Sequence, residues 1–320
     1  MTAPRVVVAR ELLPAGANRL AARFEVVCGG LDSTHDDLLE MVPGASAIVA
    51  DPTVRVDEAV LDAAGAGLRL VANFAVGHDN VDLEACARRG VPVSNTPDVL
   101  TDATAELALG LTLAAARQLP AAERSLRRGE WTGWDPGAYR GRQLSGCSFG
   151  IVGMGRIGLR YAELVSPLAG AVFYFSRSRN EPAEARLGAR RVELDVLLAE
   201  SDVVSLHLPA GPDSLHLIDS GALATMRHGA VLVNTARGSL VDSSALARSL
   251  SDGHLGAAGL DVVEGEPAVP SELLAAPRVV VTPHIGSATF TARDRMAEMV
   301  AENVISVMDG GDPVTPVTLA

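Results

Sequence analysis

Residues 147–165 read CSFGIVGMGRIGLRYAELV, and within them Gly153-Met154-Gly155-Arg156-Ile157-Gly158 is G-x-G-x-x-G. The apolar run before it reads as a strand, and RIGLRYAELV after it reads as a helix. In that setting each glycine has its own duty. Gly153 permits the tight turn, Gly155 lets a pyrophosphate approach the backbone, and Gly158 lets the helix close on the strand. The helix N-terminus, which opens on Arg156 and Ile157, supplies positive potential. The stretch therefore predicts a dinucleotide-binding unit. A glycine-rich turn with no ligand is the plainer alternative, and the flanking strand and helix count against it.

The second strand of this unit ends FYFSRSRN. A unit that binds NAD commonly carries Asp or Glu here, about 20 residues past the glycines, to hold the ribose 2′-OH. This chain has Ser176, then Arg177 and Arg179. Residues 171–191 hold five Arg (177, 179, 186, 190, 191) against two Glu (181, 184), a local charge of 5 − 2 = +3. A 2′-phosphate beside Ser176, Arg177 and Arg179 gains charge-assisted hydrogen bonds. The expectation is a preference for NADP(H), with NAD(H) possible; a solvated basic turn is the alternative.

Outward from this unit, short β-branched runs alternate with helical patterns throughout. Downstream strands are read at 147–152, 171–176, 202–208, 230–235, 257–261 and 278–282. Upstream ones are read at 5–9, 24–28, 45–50, 68–73 and 91–94. Thr34 and Asp57 are candidate helix N-caps, and Gly90 ends the helix 82–89. Residues 101–119 (TDATAELALGLTLAAARQL) read as one long helix, apolar almost all round, hence buried on more than one side. Residues 129–146 have no clear period and read as a long loop, of the kind that tends to carry function in compact proteins. Residues 287–308 read as a helix long enough to return to the first half. The fold class expected is α/β, with two doubly wound parallel-sheet, Rossmann-like domains.

The composition agrees. The 320 residues suggest about two domains, and 48% are apolar. Net charge is 27 − 39 = −12, a poor footing for binding nucleic acid or anionic membrane. All 27 basic residues are Arg, which excludes Schiff-base aldolases, pyridoxal enzymes, P-loops and protein kinases, all of which need a lysine. Cys28, Cys86 and Cys147 are far apart and in no CxxC pattern, and read as buried thiols in a reducing compartment rather than disulfides or zinc ligands. No metal site is expected. No signal peptide precedes the first strand and no apolar run reaches about 20 residues, so the expected location is the cytoplasm.

The chain resembles the D-2-hydroxyacid dehydrogenases, with its nearest likeness to glyoxylate/hydroxypyruvate reductases. The resemblance rests on NFAVGHDNVD (73–82), NTPDVLTDATAELALGLTLAAAR (95–117), GIVGMGRIG (150–158), SLHLP (205–209), NTARG (234–238), GLDVVEGEP (259–267) and PHIGSAT (283–289). It implies a cofactor domain, 98–287, inserted into a discontinuous, flavodoxin-like substrate domain, 1–97 and 288–320.

Reducing a 2-keto acid needs a hydride donor, an anion site, a polarising group on the ketone and a proton donor. By position, His284 is a candidate for the last, since it follows a strand end and a proline. Ligands bind at that end of an open α/β sheet. His35, His216, His228 and His254 read as surface residues. His207 reads as a core or cofactor-side residue, and His78 could face substrate. Arg237, after the strand VLVNTA, could grip a carboxylate and polarise the keto oxygen; a structural salt bridge is the alternative. The resemblance makes His284 the proton donor and Glu266 its partner, leaving Glu264 a surface acid. It further implies that Asp261 bonds the nicotinamide carboxamide, and that Thr104, His207, Thr235, Ala236 and Gly286 contact the cofactor. The amides of Val76 and Gly77 would hold the substrate carboxylate, together with Arg237 and His284. His78 and Val263 stand where relatives often carry aromatics.

These readings converge on an NADPH-preferring reductase of small 2-keto acids. Other dehydrogenases of the same family, and a non-enzymatic dinucleotide-sensing corepressor, are the rivals. The 101–119 helix and the loop carrying Trp131 and Trp134 suggest a homodimer, with Trp134 the better fit to a residue that reaches the neighbouring subunit in relatives.

Overall fold

The computed structural model describes residues 3–318. The chain divides into two compact units, one running to Leu100 and resuming at Ser287, the other spanning Thr101–Gly286.

The first unit is built on a parallel sheet of β1 (Arg5–Val8), β2 (Glu25–Cys28), β3 (Ala47–Ala50), β4 (Leu70–Asn73) and β5 (Val93–Ser94), in the order β2-β1-β3-β4-β5. β3 and β4 are buried throughout, as central strands covered on both faces must be. Thr34 caps its helix by accepting from the Asp37 amide, and the Asp37 carboxylate takes the Thr34 amide in return. Asp57 caps the next helix through the Val60 amide. Gly90 has φ +65°, the left-handed conformation that ends a helix. Helix Phe290–Met308 belongs to this unit, where Val300, Ala301, Val304 and Val307 pack on Val6, Val8, Leu70 and Ala72.

The second unit carries seven parallel strands: β6 (Cys147–Val152), β7 (Ala169–Phe175), β8 (Arg190–Arg191), β9 (Val203–Leu206), β10 (Val231–Asn234), β11 (Ala257–Leu260) and β12 (Val279–Val281). Their order is β12-β11-β10-β9-β6-β7-β8. From β6 the chain moves outward to β8, then crosses back to build β9 to β12 on the other side. The switch point lies between β6 and β9, and a crevice opens outside the carboxyl ends of strands at such a point. Apolar cores cover both faces, one around Leu197, Leu206 and Leu232, the other around Phe149, Ile151 and Tyr161. The fold is thus two doubly wound parallel α/β units.

Two local expectations are corrected. The apolar stretch 101–119 is not one helix. It stops at Ala116, Gln118 turns left-handed (φ +53°), and a second helix, Leu119–Arg127, begins with Pro120 in its first turn. Proline lacks the donor that would continue the ladder back to Ala116, so Pro120 is accommodated in a first turn, where no such donor is needed. The second sheet has a seventh strand, β8, absent from the reading of the sequence. It is two exposed arginines paired with Phe173 and Tyr174 of β7, and so has no apolar run to announce it. Between Arg127 and Cys147 no helix or strand occurs among the described residues, and Trp131 and Trp134 stand 66% and 85% exposed. No helix among the described residues is long and apolar enough to cross a membrane.

Candidate active site

The glycine loop leaves β6 at the switch point. Gly153 has φ +99°, and a Cβ there would lie 2.7 Å from the carbonyl carbon and oxygen of His207, just past β9. A Cβ on Gly158 would sit 2.0 Å from the Gly153 oxygen. A Cβ on Gly155 would meet nothing within 4 Å. Two glycines therefore serve the close packing of strand, helix and β9 end, while Gly155 faces open space at the start of helix Arg156–Val165. That is a cradle suited to a pyrophosphate approaching backbone amides. Ile157 packs its side chain against the core beneath. Asn180 ties the next turn to the loop by donating to the Met154 carbonyl at 2.9 Å.

At the end of β7 the arginines separate. Arg179 is engaged by Glu184, through Nε at 3.2 Å and through a close Nη2 contact. Tyr174 donates to the same carboxylate at 2.6 Å. Arg179 and then Tyr174 hold Glu184 down to about 2. Arg177 makes no ion pair among the described residues. Arg191, which the sequence reading counted only as local charge, folds over this turn: Nε donates to the Ser176 carbonyl at 3.1 Å and Nη2 to that of Arg177 at 3.2 Å. No local sequence pattern marks this role; Arg191 reaches the turn through its strand pairing with Tyr174.

The turn after β10 is organised by buried Asn234, whose side chain accepts from the Ala236 amide at 3.0 Å and donates to the Arg237 carbonyl at 2.8 Å. Gly238 lets this turn lie against residues 263–264; a Cβ there would come within 2.1 Å of Val263. The Thr235 hydroxyl is buried without a hydrogen-bond partner among the described residues. On the facing turn, Glu264 pairs with His216 at 2.7 Å, so both read as surface residues have each other.

Asp261, 1% exposed, knots the turn after β12. Its Oδ1 accepts from the Thr282 hydroxyl and the Ile285 amide, and its Oδ2 from the Gly286 amide, each at 2.7 Å. Thr104 donates to the Gly286 carbonyl at 3.2 Å. Three of the carboxylate's roughly four acceptor sites are thereby used inside the protein, leaving one for a further donor such as a carboxamide. The knot presents His284, left-handed at φ +52°, with its amide on the carbonyls of Asp261 and Thr282. Glu266 Oε2 lies 2.9 Å from His284 Nδ1, and Glu266 Oε1 accepts from the Val263 amide at 3.0 Å. A carboxylate accepts only, so Nδ1 carries the hydrogen and Nε2 is left to exchange a proton with another molecule.

The second unit thus brings together the glycine loop with His207, the Arg237 turn with residues 263–264, and Asp261, Thr104 and Gly286 with the Glu266–His284 pair. Val76 and Gly77 lie in the first unit, after β4. Their carbonyls are held by Asn95 Nδ2 at 2.8 Å and Asn73 Nδ2 at 2.7 Å, which fixes the peptide planes of that turn.

A dinucleotide loop at a switch point, sharing one unit with an acid–imidazole pair, defines a nicotinamide-dependent dehydrogenase. Residues 109–286 match the NAD binding domain of the D-isomer specific 2-hydroxyacid dehydrogenases, and this chain belongs to that family. It is 42% identical to the glyoxylate reductase of Pyrococcus horikoshii over 98% of this chain and 95% of that one. It is 43% identical to that of Aeropyrum pernix, with the same coverage. Among solved structures, a protein from Thermus thermophilus superposes with a TM-score of 0.91 at 43% identity, covering 98% of this chain and 100% of that one. The NADPH-dependent glyoxylate/hydroxypyruvate reductase of Sinorhizobium meliloti, in complex with NADP and malonate, superposes at 0.87 with 34% identity, covering 99% and 97%. The chain is an NAD(P)-dependent dehydrogenase.

Proposed function

We propose that this enzyme reduces small 2-keto acids, glyoxylate and hydroxypyruvate foremost, and takes NADPH in preference to NADH. The observation that carries the reading is the Glu266–His284 pair at 2.9 Å, held in the same unit as the glycine loop. Gly153, Gly155, Gly158, Arg156, Thr235, Ala236 and Asp261 hold the dinucleotide, which when bound supplies the hydride to the carbonyl carbon. His284 gives its Nε2 proton to the oxygen that becomes the alkoxide, and Glu266 steadies the imidazolium before it does. Arg237 grips the substrate carboxylate and stabilises charge growing on the keto oxygen. The amides of Val76 and Gly77 are assigned to substrate binding, and with them the first unit is read as the substrate-binding domain.

The names of the relatives support the substrate class, and the arginine-rich turn at Ser176–Arg177 supports the cofactor choice. Three free thiols accord with a cytoplasmic enzyme, and the exposed Trp131 and Trp134 with a homodimer. Steady-state rates over a panel of 2-keto acids, each with NADPH and NADH, test the proposal. The highest kcat/KM for glyoxylate or hydroxypyruvate with NADPH is expected; equal use of both cofactors, or activity confined to bulky keto acids, rejects it. A light-scattering mass near 33.1 kDa would reject the dimer.

A further inference from the structure

The turn after β4 has its successive carbonyls pinned: the Thr96 amide donates to that of Ala75 at 2.9 Å, Asn95 Nδ2 to that of Val76 at 2.8 Å, and Asn73 Nδ2 to that of Gly77 at 2.7 Å. A trans peptide is planar, and its C=O and N–H point opposite ways. Pinning the Ala75 carbonyl therefore aims the Val76 amide, and pinning the Val76 carbonyl aims the Gly77 amide. Neither amide donates to another group among the described residues.

Asn95 is itself gripped by Thr315, 220 residues further along the chain. The Asn95 amide donates to the Thr315 carbonyl at 3.2 Å, and the Thr315 hydroxyl donates to the Asn95 carbonyl at 2.6 Å. A hydroxyl has one hydrogen and a carbonyl can only accept, so the direction of that bond is fixed. The hydroxyl oxygen then accepts from Asn303 Nδ2 at 2.9 Å, and the Thr315 amide donates to Asn303 Oδ1 at 2.9 Å. Asn303 is fully buried in helix Phe290–Met308, and its other Nδ2 hydrogen goes to the Met299 carbonyl at 2.8 Å. A buried amide is costly unless paired, and both ends of this one are spent on Thr315. Alongside, Pro316 bridges Ser94 antiparallel, and the Val317 amide donates to the Val93 carbonyl at 2.8 Å. Residues 315–317 thus run along β5 and clamp the residue that pins Val76.

We propose that Asn95 is a positioning residue for the substrate carboxylate: through the Val76 carbonyl it aims the Gly77 amide, and Thr315, anchored on Asn303, holds Asn95 in place to do so. The scheme rests on the assignment of the Val76 and Gly77 amides to the substrate carboxylate, and on neither the cofactor choice nor the identity of the keto acid. A residue that only braced the turn would cost stability when removed. One that aims a donor costs affinity for the anion as well, and leaves cofactor affinity alone.

Amide ¹H–¹⁵N spectra, taken with whichever nicotinamide cofactor gives the higher kcat/KM and titrated with oxamate, an inert isostere of a 2-keto acid, test the proposal beside steady-state kinetics. In the intact chain oxamate should shift the Val76 and Gly77 signals. If it does not, the assignment of these amides to the carboxylate fails, and the proposal with it. In Asn95→Ala the oxamate Kd and the KM of the preferred keto acid should each rise about tenfold, the worth of one hydrogen bond to a charged group. kcat should change far less, and the cofactor Kd should stay at its parent value. Thr315→Val, which keeps the shape but loses the hydroxyl, should raise the same two constants about threefold, the worth of a weak neutral hydrogen bond, and Thr315→Ser should restore them. Should Asn95→Ala fail to fold, the Thr315 pair carries the test. If oxamate shifts both amides in the intact chain, yet the variants lower Tm and leave KM and the oxamate Kd unmoved, the proposal alone is overturned. Equal losses of cofactor and oxamate affinity overturn it too.

Discussion

Glu266 divides its carboxylate between His284 and its own turn: Oε2 lies 2.9 Å from the imidazole Nδ1, and Oε1 takes the Val263 amide at 3.0 Å. One side chain thus fixes both where the imidazole points and which nitrogen stays free. In Glu266→Gln only one atom can accept, and the amide nitrogen must face a donor. Reduction of glyoxylate should lose about 10- to 100-fold in kcat, with KM changed far less. His284→Ala should lose about 10²–10⁴-fold, as removal of a general acid does. Full kcat in Glu266→Gln would take the carboxylate out of the proton-delivery scheme.

The two arginines after β7 should behave differently. Arg179 is already committed to Glu184, whereas Arg177 has no such partner among the described residues. Arg177→Ala should lower kcat/KM with NADPH about 10- to 100-fold, the span of one charge-assisted hydrogen bond, and leave NADH nearly untouched. Arg179→Ala should alter neither cofactor's kinetics by more than about twofold. Equal losses with both cofactors in Arg177→Ala would remove it from 2′-phosphate recognition.

Asp202 joins strand ends in the second unit through Arg142 at 2.9 Å, Arg227 at 3.5 Å, and the Ser148 amide and hydroxyl. Burial works against its charge, but Ser148 and the two arginines outweigh it and hold the carboxyl below its ordinary 3.8. A lowered carboxylate stabilises the fold fully above that ordinary value, and the gain drains away as pH falls through the folded one. Asp202→Asn should cost about 1–3 kcal/mol at pH 7, seen in urea melts. The gap to the parent protein should close as pH falls below 3.8.

Cysteine labelling should sort by burial. Against the expectation that all three cysteines are buried, Cys28, at the end of edge strand β2, is exposed, whereas Cys86 is buried and burial pushes its thiol up to about 11. The thiolate is the reactive form, and at pH 8 only about a thousandth of Cys86 would carry it. Brief iodoacetamide treatment of the native chain should add one carbamidomethyl group, at Cys28, and urea should expose all three cysteines. Early labelling of Cys86 by peptide mass would contradict the packing around it.

Much of this architecture could be read from residue order. Continuous apolar runs such as AIVA at 47–50 declare buried parallel strands, and Thr34 and Asp57 declare helix starts because their oxygens suit the first free amides. The glycine loop was legible because three glycines stand at G-x-G-x-x-G spacing between an apolar run and a helical one, and at two of them, Gly153 and Gly158, the backbone leaves no room for a Cβ. What stayed hidden depends on partners remote in sequence or on polar pairing. β8 is two arginines hydrogen-bonded to β7, with no apolar alternation. The break at Gln118 is a backbone choice inside an apolar stretch. Arg179 looked as available as Arg177 until Glu184 and Tyr174 claimed it. The hydrogen bond between Thr112 and Tyr161 joins two helices across 49 residues of chain, and no local pattern marks it.

The Asp261 knot has a bearing on how this enzyme can vary in length. One carboxylate at the end of β11 clasps Thr282, Ile285 and Gly286, so the chain departs from and returns to almost the same point. A loop closed at its base can be lengthened at small entropic cost, about 0.6 kcal/mol per doubling, without dragging its ends apart. Residues 271–275 form a short helix on this excursion beyond Glu266; Leu273 anchors it in the core, whereas Ser271 and Glu272 at its start are exposed, so that start is where an inserted segment, a reporter peptide or an affinity tag can be grafted while His284 stays where the clasp holds it.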